Sequence, residues 1–294
     1  MRKLLYLVLT VLIVACSSDD GGDGNDQSIC NGDNPVYIAN NGVTIKACEW
    51  ANVGDTGVIN GVTYTVVDEA MLREIVANED DVTKLATTKV TDMFEMFFID
   101  LDTPTDFNQD ISNWDVSNVT DMGGMFYWAD EFDQDISNWD VSNVTDMGGM
   151  FVRAFAFNQP IGNWDVSNVT DMSYMFNFAI NFNQPIGDWD VSNVTDMNYM
   201  FYFTVNFNQL IGDWDVSNVT DMGSMFKNAS FNQDIGGWNV SNVTNMYRMF
   251  KNAFTFNQDL SVWNVANVTN CEQFNSNTSH QWTLPKPNFT NCTP

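Results

Sequence analysis

Basic residues are scarce in this chain, whereas acidic residues are abundant. Only 11 Lys and Arg accompany 38 Asp and Glu, which gives a formal net charge of −27 over 294 residues. A field of this sign repels nucleic acid and anionic lipid surfaces, so we expect neither as a partner. The simplest interpretation of the charge is a well-solvated exported surface, and binding of cationic ligands or divalent ions is the second.

Histidine and paired cysteine motifs are too rare for the commonest catalytic and metal sites. The single histidine, His280, has no cysteines at a spacing usual for zinc, and no CxxC occurs. The sequence also contains no recognisable Ser/His/Asp or Cys/His set and no phosphate-binding loop. We therefore expect a protein that is not an enzyme and needs no cofactor.

Long apolar runs are confined to the first residues. Leu4–Val14 follows Arg2 and Lys3, and it is too short to span a bilayer as a mature helix. The run leads to Cys16 in an order that resembles a bacterial lipobox, which implies a signal peptide at 1–15 and a lipid on Cys16. Ser17–Asp20 resembles the surface-export signal of some Gram-negative lipoproteins. This resemblance implies an outer-membrane lipoprotein on the cell surface, with the periplasmic leaflet as the alternative.

Four further cysteines flank the central part of the chain in two pairs. Export places them in an oxidising compartment, where disulfides persist. We predict the bonds Cys30–Cys48 and Cys271–Cys292, although four cysteines allow three pairings. Residues 16–34 are rich in Asp, Gly, Ser and Asn, which predicts a flexible tether.

The abundant feature is an internal repeat. QDISNWDVSNVTDMGGMF occupies 109–126 and occurs again, unchanged, at 134–151. Tryptophans mark seven units at steps of 25, 25, 25, 25, 24 and 25 residues: Trp114, Trp139, Trp164, Trp189, Trp214, Trp238 and Trp263. A fixed period of this size predicts stacked units whose apolar faces cover one another. We place this repeat region at residues 82–270.

Each unit reads as a short strand followed by one helical turn. Trp114, Val116 and Val119 alternate with polar residues, which predicts a parallel strand. Asp121 is then a candidate N-cap for Met122–Phe126. We expect one asparagine column to pass amide hydrogen bonds along the stack as a structural ladder. Its members are Asn118, Asn143, Asn168, Asn193, Asn218, Asn242 and Asn267.

Two aspartate columns, which begin at Asp115 and Asp121, place like charges close together in stacked units. The first column either faces water or is screened by Ca²⁺, which favours carboxylate oxygens. The even repetition of these carboxylates does not suit a general acid and base, which need unlike environments.

Covers are expected at both ends of the stack. Residues 35–81 contain two hairpin signals, Asn41-Gly42 and Asn60-Gly61, followed by a helix at 69–78 that Asp68 caps. Residues 271–294 lose the repeat pattern and read as an irregular C-terminal cap.

The unit WDVSNVTDMxxMF followed by FNQ, behind a lipobox, resembles the BspA-like leucine-rich-repeat surface proteins of bacteria over residues 82–294. The resemblance implies an α/β repeat solenoid: a leucine-rich-repeat-like right-handed coil with one strand and one helical turn per unit, covered by a hairpin and helix. It also implies adhesion or binding of extracellular proteins. Because Trp, Val, Met and Phe stand where ordinary leucine-rich repeats carry Leu, binding residues of that family cannot be transferred to this chain.

Invariant columns build the stack, so we expect ligand contacts at positions that vary and are exposed. Candidate ligand-binding residues come from two such columns: Tyr174, Tyr199, Arg248, Trp128, Arg153, Phe178 and Phe203. Exposed aromatic rings suit a protein contact or a stacked sugar ring. The leading hypothesis is a monomeric adhesion or protein-binding protein, and the alternatives are a carbohydrate-binding surface module, a surface-layer component, or aromatic residues that only pack against loops.

Overall fold

The computed structural model describes residues 30, 32–100, 104–278 and 281–294. The predicted signal peptide, the lipidation site Cys16, most of the tether and His280 lie outside the described residues. Within the described part of the chain, no helix is long and apolar enough to cross a membrane.

Two β-hairpins form most of the N-terminal cap. They comprise β1 (Val36–Ile38) with β2 (Ile45–Ala47), and β3 (Thr56–Ile59) with β4 (Val62–Val66), both antiparallel. Asn60 and Gly61 join β3 to β4 with φ of 50° and 82°. A two-residue turn with positive φ at both positions matches the twist of the paired strands, which explains the Asn-Gly sequence.

One helix completes this cap, and one short strand connects it to the repeats. Helix α1 (Glu69–Ala77) begins after Asp68, whose side chain accepts a hydrogen bond from the Met71 N–H at 2.9 Å. The predicted cap and start of the helix are therefore confirmed. The Leu72 side chain of α1 is buried in the main core. Strand β5 (Leu85–Ala86) pairs in parallel with β4, so the first repeat continues the cap sheet.

Isolated parallel bridges stack successive units in register, and Thr105 with Ala129 adds a second bridge near the start of the stack. Parallel bridges join a single column along the whole repeat region: Asp92, Asp121, Asp146, Asp171, Asp196, Asp221, Asn245 and Asn270. Each unit therefore contributes an isolated bridge at the position predicted to be a helix N-cap.

The local structure of the unit differs from the predicted strand and helical turn. Residues 114–119 carry a turn, because the Asp115 carboxylate accepts from the Ser117 N–H and hydroxyl and turns the chain. Residues 122–129 form a run of turns. Gly124 and Trp128 interrupt any helix in this run, because both have positive φ.

Backbone hydrogen bonds alternate along these turns. The N–H groups of residues 122, 124, 126 and 128 donate to carbonyls of the next unit at 2.8–2.9 Å. The N–H groups of residues 125, 127 and 129 instead donate three residues back, within their own unit. The alternation recurs in later units, so the turns themselves hold the units together.

Aromatic columns fill the core that the stack encloses. One continuous apolar core extends from Val67 to Trp282. Phe126 stacks on Phe132 of the same stretch at 3.9 Å between ring centroids and on Phe151 of the next unit at 5.5 Å. A phenylalanine ring thus contacts both its own unit and its neighbours.

Side-chain donors also join the units, through backbone carbonyls of the preceding unit. Buried tryptophan Nε1 atoms donate to such carbonyls at 3.0–3.2 Å, as Trp164 does to Ile136. The asparagine column behaves alike: Asn168 Nδ2 donates to the Ser142 carbonyl at 2.7 Å. The predicted passing of hydrogen bonds from amide to amide is therefore wrong for this column, because the nearer acceptor is backbone.

One unit is shorter than the others, and the missing residue lies in a connection whose shortening leaves the stacked tryptophans in contact. Between the Phe226 and Phe231 rings the chain has one residue fewer than between Phe201 and Phe207. Trp214 and Trp238 nevertheless stack with centroids 6.4 Å apart and planes 5° apart. The connection before each FNQ segment therefore tolerates a change of length.

Both predicted disulfides, Cys30–Cys48 and Cys271–Cys292, are present. The second ties down the C-terminal segment, in which Trp282 packs edge-on against Phe250 and Phe256 at 5.3 and 4.8 Å. The last repeat is thereby covered by an aromatic side chain.

Candidate functional site: the variable face

The varying columns lie on a backbone with a left-handed conformation. The first column, at φ 55–64°, is Gly124, Gly149, Tyr174, Tyr199, Ser224 and Arg248. The second, at φ 58–61°, is Trp128, Arg153, Phe178, Phe203, Asn228 and Asn252. A left-handed residue other than glycine costs roughly 1–2 kcal/mol, so the stack imposes this conformation whatever the side chain. We call these columns, with the intervening column from Tyr127 to Lys251, the variable face.

Aromatic rings from neighbouring units stack on the variable face. Tyr174 and Tyr199 lie with ring centroids 4.7 Å apart and planes 4° apart. Phe178 and Phe203 form a second stack at 4.8 Å, and Tyr202 meets the Tyr199 ring edge-on at 5.5 Å. Tyr174 and Phe203 remain 40% and 38% exposed, so the patch presents ring surface to solvent.

Arg153 joins this patch to Trp128. Its guanidinium carbon lies 4.2 Å from the Trp128 ring centroid and 5.5 Å from that of Phe178. The structure thus brings together six of the seven predicted ligand-binding residues. Arg248 lies apart, over the Tyr247 ring at 4.5 Å, because the unit of Ser224 separates it from the aromatic patch.

Two glycine pairs open a groove beside the patch. The groove has a volume of about 440 Å³ and extends from Phe94 and Glu95 to Ser173 and Tyr174. Its floor includes Gly123, Gly124, Gly148 and Gly149, whereas each later unit carries a larger side chain at one or both of these positions. Tyr199 covers one face of the Tyr174 ring from the following unit, so the other face is available at the groove.

Carboxylates of the bridged column line the groove, and one of them, Asp146, lies in an unfavourable setting for charge. Burial, followed by the nearby Asp171 and Asp121, raises the pKa of Asp146, although the Gly148 N–H opposes this. Burial also raises the pKa of Tyr174, and the Tyr199 ring adds to the effect. A ligand that supplies positive charge or hydrogen-bond donors would favour the ionised carboxylates here.

Basic residues are concentrated on the variable face. Four of the eleven Lys and Arg of the chain lie there: Arg153, Lys227, Arg248 and Lys251. Lys227 lies over the Tyr202 ring at 4.7 Å, and burial, together with Arg248 and Lys251, lowers its pKa. The face therefore combines aromatic rings and cations on an otherwise acidic protein.

Sequence reasoning missed the groove and the intervening column. The signal for the groove was present, because glycine occupies both adjacent positions only in the units of Gly124 and Gly149. Lys227 and Lys251 could have been placed on this face from the sequence, because each directly precedes a residue of the second varying column. Screening by Ca²⁺ was one of two interpretations of the first aspartate column. Among the described residues, no group of three or more His, Cys, Asp or Glu side chains could hold a metal ion.

Comparison with known proteins gives one family. The sequence family described as "Mycoplasma protein of unknown function, DUF285" matches residues 67–189 and 178–285. No curated protein and no solved structure matches the chain. The two matched segments together cover the helix of the cap and the whole stack with its variable face. The chain therefore belongs to the DUF285 family of repeat-containing proteins.

Proposed function

We propose that this chain is a lipid-anchored surface protein that binds extracellular proteins through the variable face. One observation carries the proposal: aromatic rings and arginine share an exposed patch beside an open groove. Tyr, Trp and Arg are the residues that contribute most to protein–protein binding when they are clustered. The patch also lies on a backbone that the stack holds rigid, which lowers the entropy lost on binding.

The architecture we propose is a leucine-rich-repeat-like right-handed solenoid of the BspA-like type. The stacked bridges, the aromatic core and the match to a repeat family support it. Such a stack displays one face repeatedly, which suits adhesion. The proposed lipidation of Cys16 rests on the lipobox, and the proposed cell-surface location rests on the lipobox together with Ser17–Asp20.

A carbohydrate-binding surface module is the second candidate. The uncovered face of Tyr174 at the groove favours it, because a sugar ring stacks on an exposed aromatic face. A sugar in this position would also place hydroxyl groups near Asp146 and Asp171, which line the same groove.

Filling the groove tests the site with little risk to the fold. Gly149→Tyr introduces a residue that the same column already holds at Tyr174 with nearly the same φ. An added Cβ at Gly149 meets no atom closer than 3.5 Å. We expect the substitution to preserve cooperative unfolding while weakening ligand binding about tenfold or more. Asn206→Ala, a change of an exposed loop residue, is the control.

The binding assay uses two sets of immobilised probes: fibrinogen, fibronectin and laminin, and a series of polysaccharide gels. Retention on a protein probe supports the first candidate if it is weakened both by Gly149→Tyr and by the double variant Tyr174→Ala/Tyr199→Ala. Retention on polysaccharide alone supports the second. Binding that survives both variants would place the interaction elsewhere on the protein.

Protease treatment of intact cells tests the proposed location. We expect cleavage of the native protein, and protection when Ser17–Asp20 are replaced by alanine. Protection of both forms would assign the protein to the periplasm and would remove adhesion as the function.

A further inference from the structure

A second polar cleft lies where the N-terminal cap meets the first tryptophan-containing unit. It has a volume of about 270 Å³ and shares no residue with the variable face. The β1–β2 hairpin contributes Asn40 and Lys46, and the repeats contribute Asp115, Ser117 and Asp140. The cleft is thus a separate feature, created by the contact between cap and stack.

The cap buries one member of an otherwise exposed column. Asp115 is 2% exposed, whereas its equivalents Asp140, Asp165, Asp190 and Asp215 are exposed. The cause is local, since the Ile45 N–H of β2 donates to the Asn113 carbonyl at 2.8 Å and brings the neighbouring Lys46 over the aspartate. The same sequence motif therefore acquires a different environment in this one unit.

Buried Asp115 has an oxygen without a hydrogen-bond donor. Oδ1 accepts from the Ser117 N–H at 3.2 Å and the Ser117 hydroxyl at 2.7 Å. Oδ2 is buried and has no hydrogen-bond partner among the described residues. Leaving a buried acceptor unpaired costs free energy. A ligand hydroxyl or N–H that reached Oδ2 from the cleft would recover this free energy.

Lys46 offers the complementary group. Its Nζ lies 3.8 Å from Asp115 Oδ1 and 3.4 Å from the Ser117 hydroxyl, both long contacts for an ammonium group with three donors. The cleft therefore contains an acceptor without a donor, Asp115 Oδ2, close to Lys46 Nζ, a donor whose contacts are long. A ligand needs adjacent donor and acceptor atoms to satisfy both.

Charge selects the class of ligand. Asp115 and Asp140 line the cleft of a protein with a net charge of −27, which disfavours anions and the carboxylate of a zwitterion. The ammonium group beside Asp115 disfavours a divalent cation. Neutral hydroxyl groups fit both requirements, because each donates and accepts. We propose that this cleft binds a neutral saccharide unit, with hydroxyls donating to Asp115 Oδ2 and accepting from Lys46 Nζ.

The test measures binding of free glucose, galactose, mannose and N-acetylglucosamine to the full chain by saturation-transfer NMR and titration calorimetry. We expect at least one of these sugars to bind in the millimolar range. Asp115→Asn should weaken that binding about tenfold, because one hydrogen bond to a charged group is lost. Asp165→Asn changes an exposed residue of the same column and should leave binding unchanged.

Lys46→Met removes the proposed hydrogen bond from Lys46 Nζ to the sugar. This second variant tests the proposal even if Asp115→Asn fails to fold. We expect it to weaken binding similarly. Absence of binding by all four sugars, equal loss in Asp165→Asn, or saturation by glycine or CaCl₂ in place of sugar would each overturn the proposal. Gly149→Tyr should not affect sugar binding at the cleft, so loss in that variant alone would assign the sugar to the variable face.

Discussion

Asn245 Nδ2 donates to both carboxylate oxygens of Asp221 in the preceding unit, at 3.0 and 2.9 Å. In earlier units of this column two carboxylates meet instead. Burial is the main cause that raises the pKa of Asp146 and of Asp196, and neighbouring carboxylates add to it. An asparagine amide at this position therefore donates hydrogen bonds to the carboxylate of the preceding unit. An aspartate at the same position is instead repelled by that carboxylate.

Asp196→Asn should stabilise the protein at pH 7 by about 0.5–1 kcal/mol, because a disfavoured charge is replaced by a donor to Asp171. The raised pKa of Asp196 means that its ionisation destabilises the folded state above that pKa. This penalty disappears as the pH falls below the ordinary value of 3.8. The gain, measured by urea unfolding, should therefore be larger at pH 7 than below pH 4.

Asp190→Asn is the control with the opposite sign. Hydrogen bonds from the Ser192 hydroxyl and N–H lower the pKa of Asp190. Its ionised form therefore stabilises the protein above the ordinary pKa, and this contribution is lost as the pH falls through the lowered pKa. We expect no gain at pH 7, and equal gains in both variants would contradict our interpretation of the column.

Ser224→Gly should stabilise the protein by roughly 0.5–1 kcal/mol. Ser224 has φ of 56°, is 0% exposed and carries a buried hydroxyl without a hydrogen-bond partner among the described residues. Glycine relieves the backbone strain and removes the hydroxyl, which outweighs the added flexibility of the unfolded chain. Ser173→Gly, one position earlier in its unit and without positive φ, should give no gain in thermal unfolding.

Asn168→Ala should destabilise the protein by about 1 kcal/mol, through loss of the 2.7 Å hydrogen bond to the Ser142 carbonyl. Asn206 is also exposed but forms no such bond between units among the described residues. Asn206→Ala should therefore change the free energy of unfolding much less. Equal effects in chemical denaturation would show that the asparagine column does not stabilise the stack.

Removing the C-terminal disulfide should cost about 3 kcal/mol, because it closes a loop of sequence separation 21. The informative variant is Cys271→Met with Cys292→Ala, since methionine occupies the position of Cys271 in the preceding units, as at Met246. It keeps an apolar residue in the core while opening the loop. Unfolding unchanged from that of the native protein would indicate that the aromatic contacts of Trp282 alone hold the cap.

Much of the fold follows from periodicity alone. The spacing of the tryptophans predicted stacked units, and Asp68 with Asn60-Gly61 predicted the elements of the cap. The strand and helical turn within each unit were misassigned, because apolar residues at positions 114, 116, 119, 122, 125 and 126 fit alternating turns equally well. Sequence patterns report which side chains face inward, and a left-handed residue every few positions leaves that pattern unchanged.

The two proposed sites differ in how far sequence could reveal them. Varying columns identified the aromatic patch, because the invariant residues around them are committed to the core. The cleft at Asp115 could not be found this way, since its burial depends on Lys46, 69 positions earlier in the chain. A contact between cap and repeat leaves no trace in the repeat itself.

The stacked units also have a genetic consequence. Recombination between the gene segments that encode the identical stretches 109–126 and 134–151 would delete or duplicate one whole repeat. The new junction would lie within the identical sequence, so every unit of the product would keep a normal sequence. Since each unit bonds to its neighbours through the same backbone groups, the shortened or lengthened product retains partners for all of them. We expect natural variants of this protein to differ by multiples of one unit, and the number of units to change the length of the stack without altering the cap at either end.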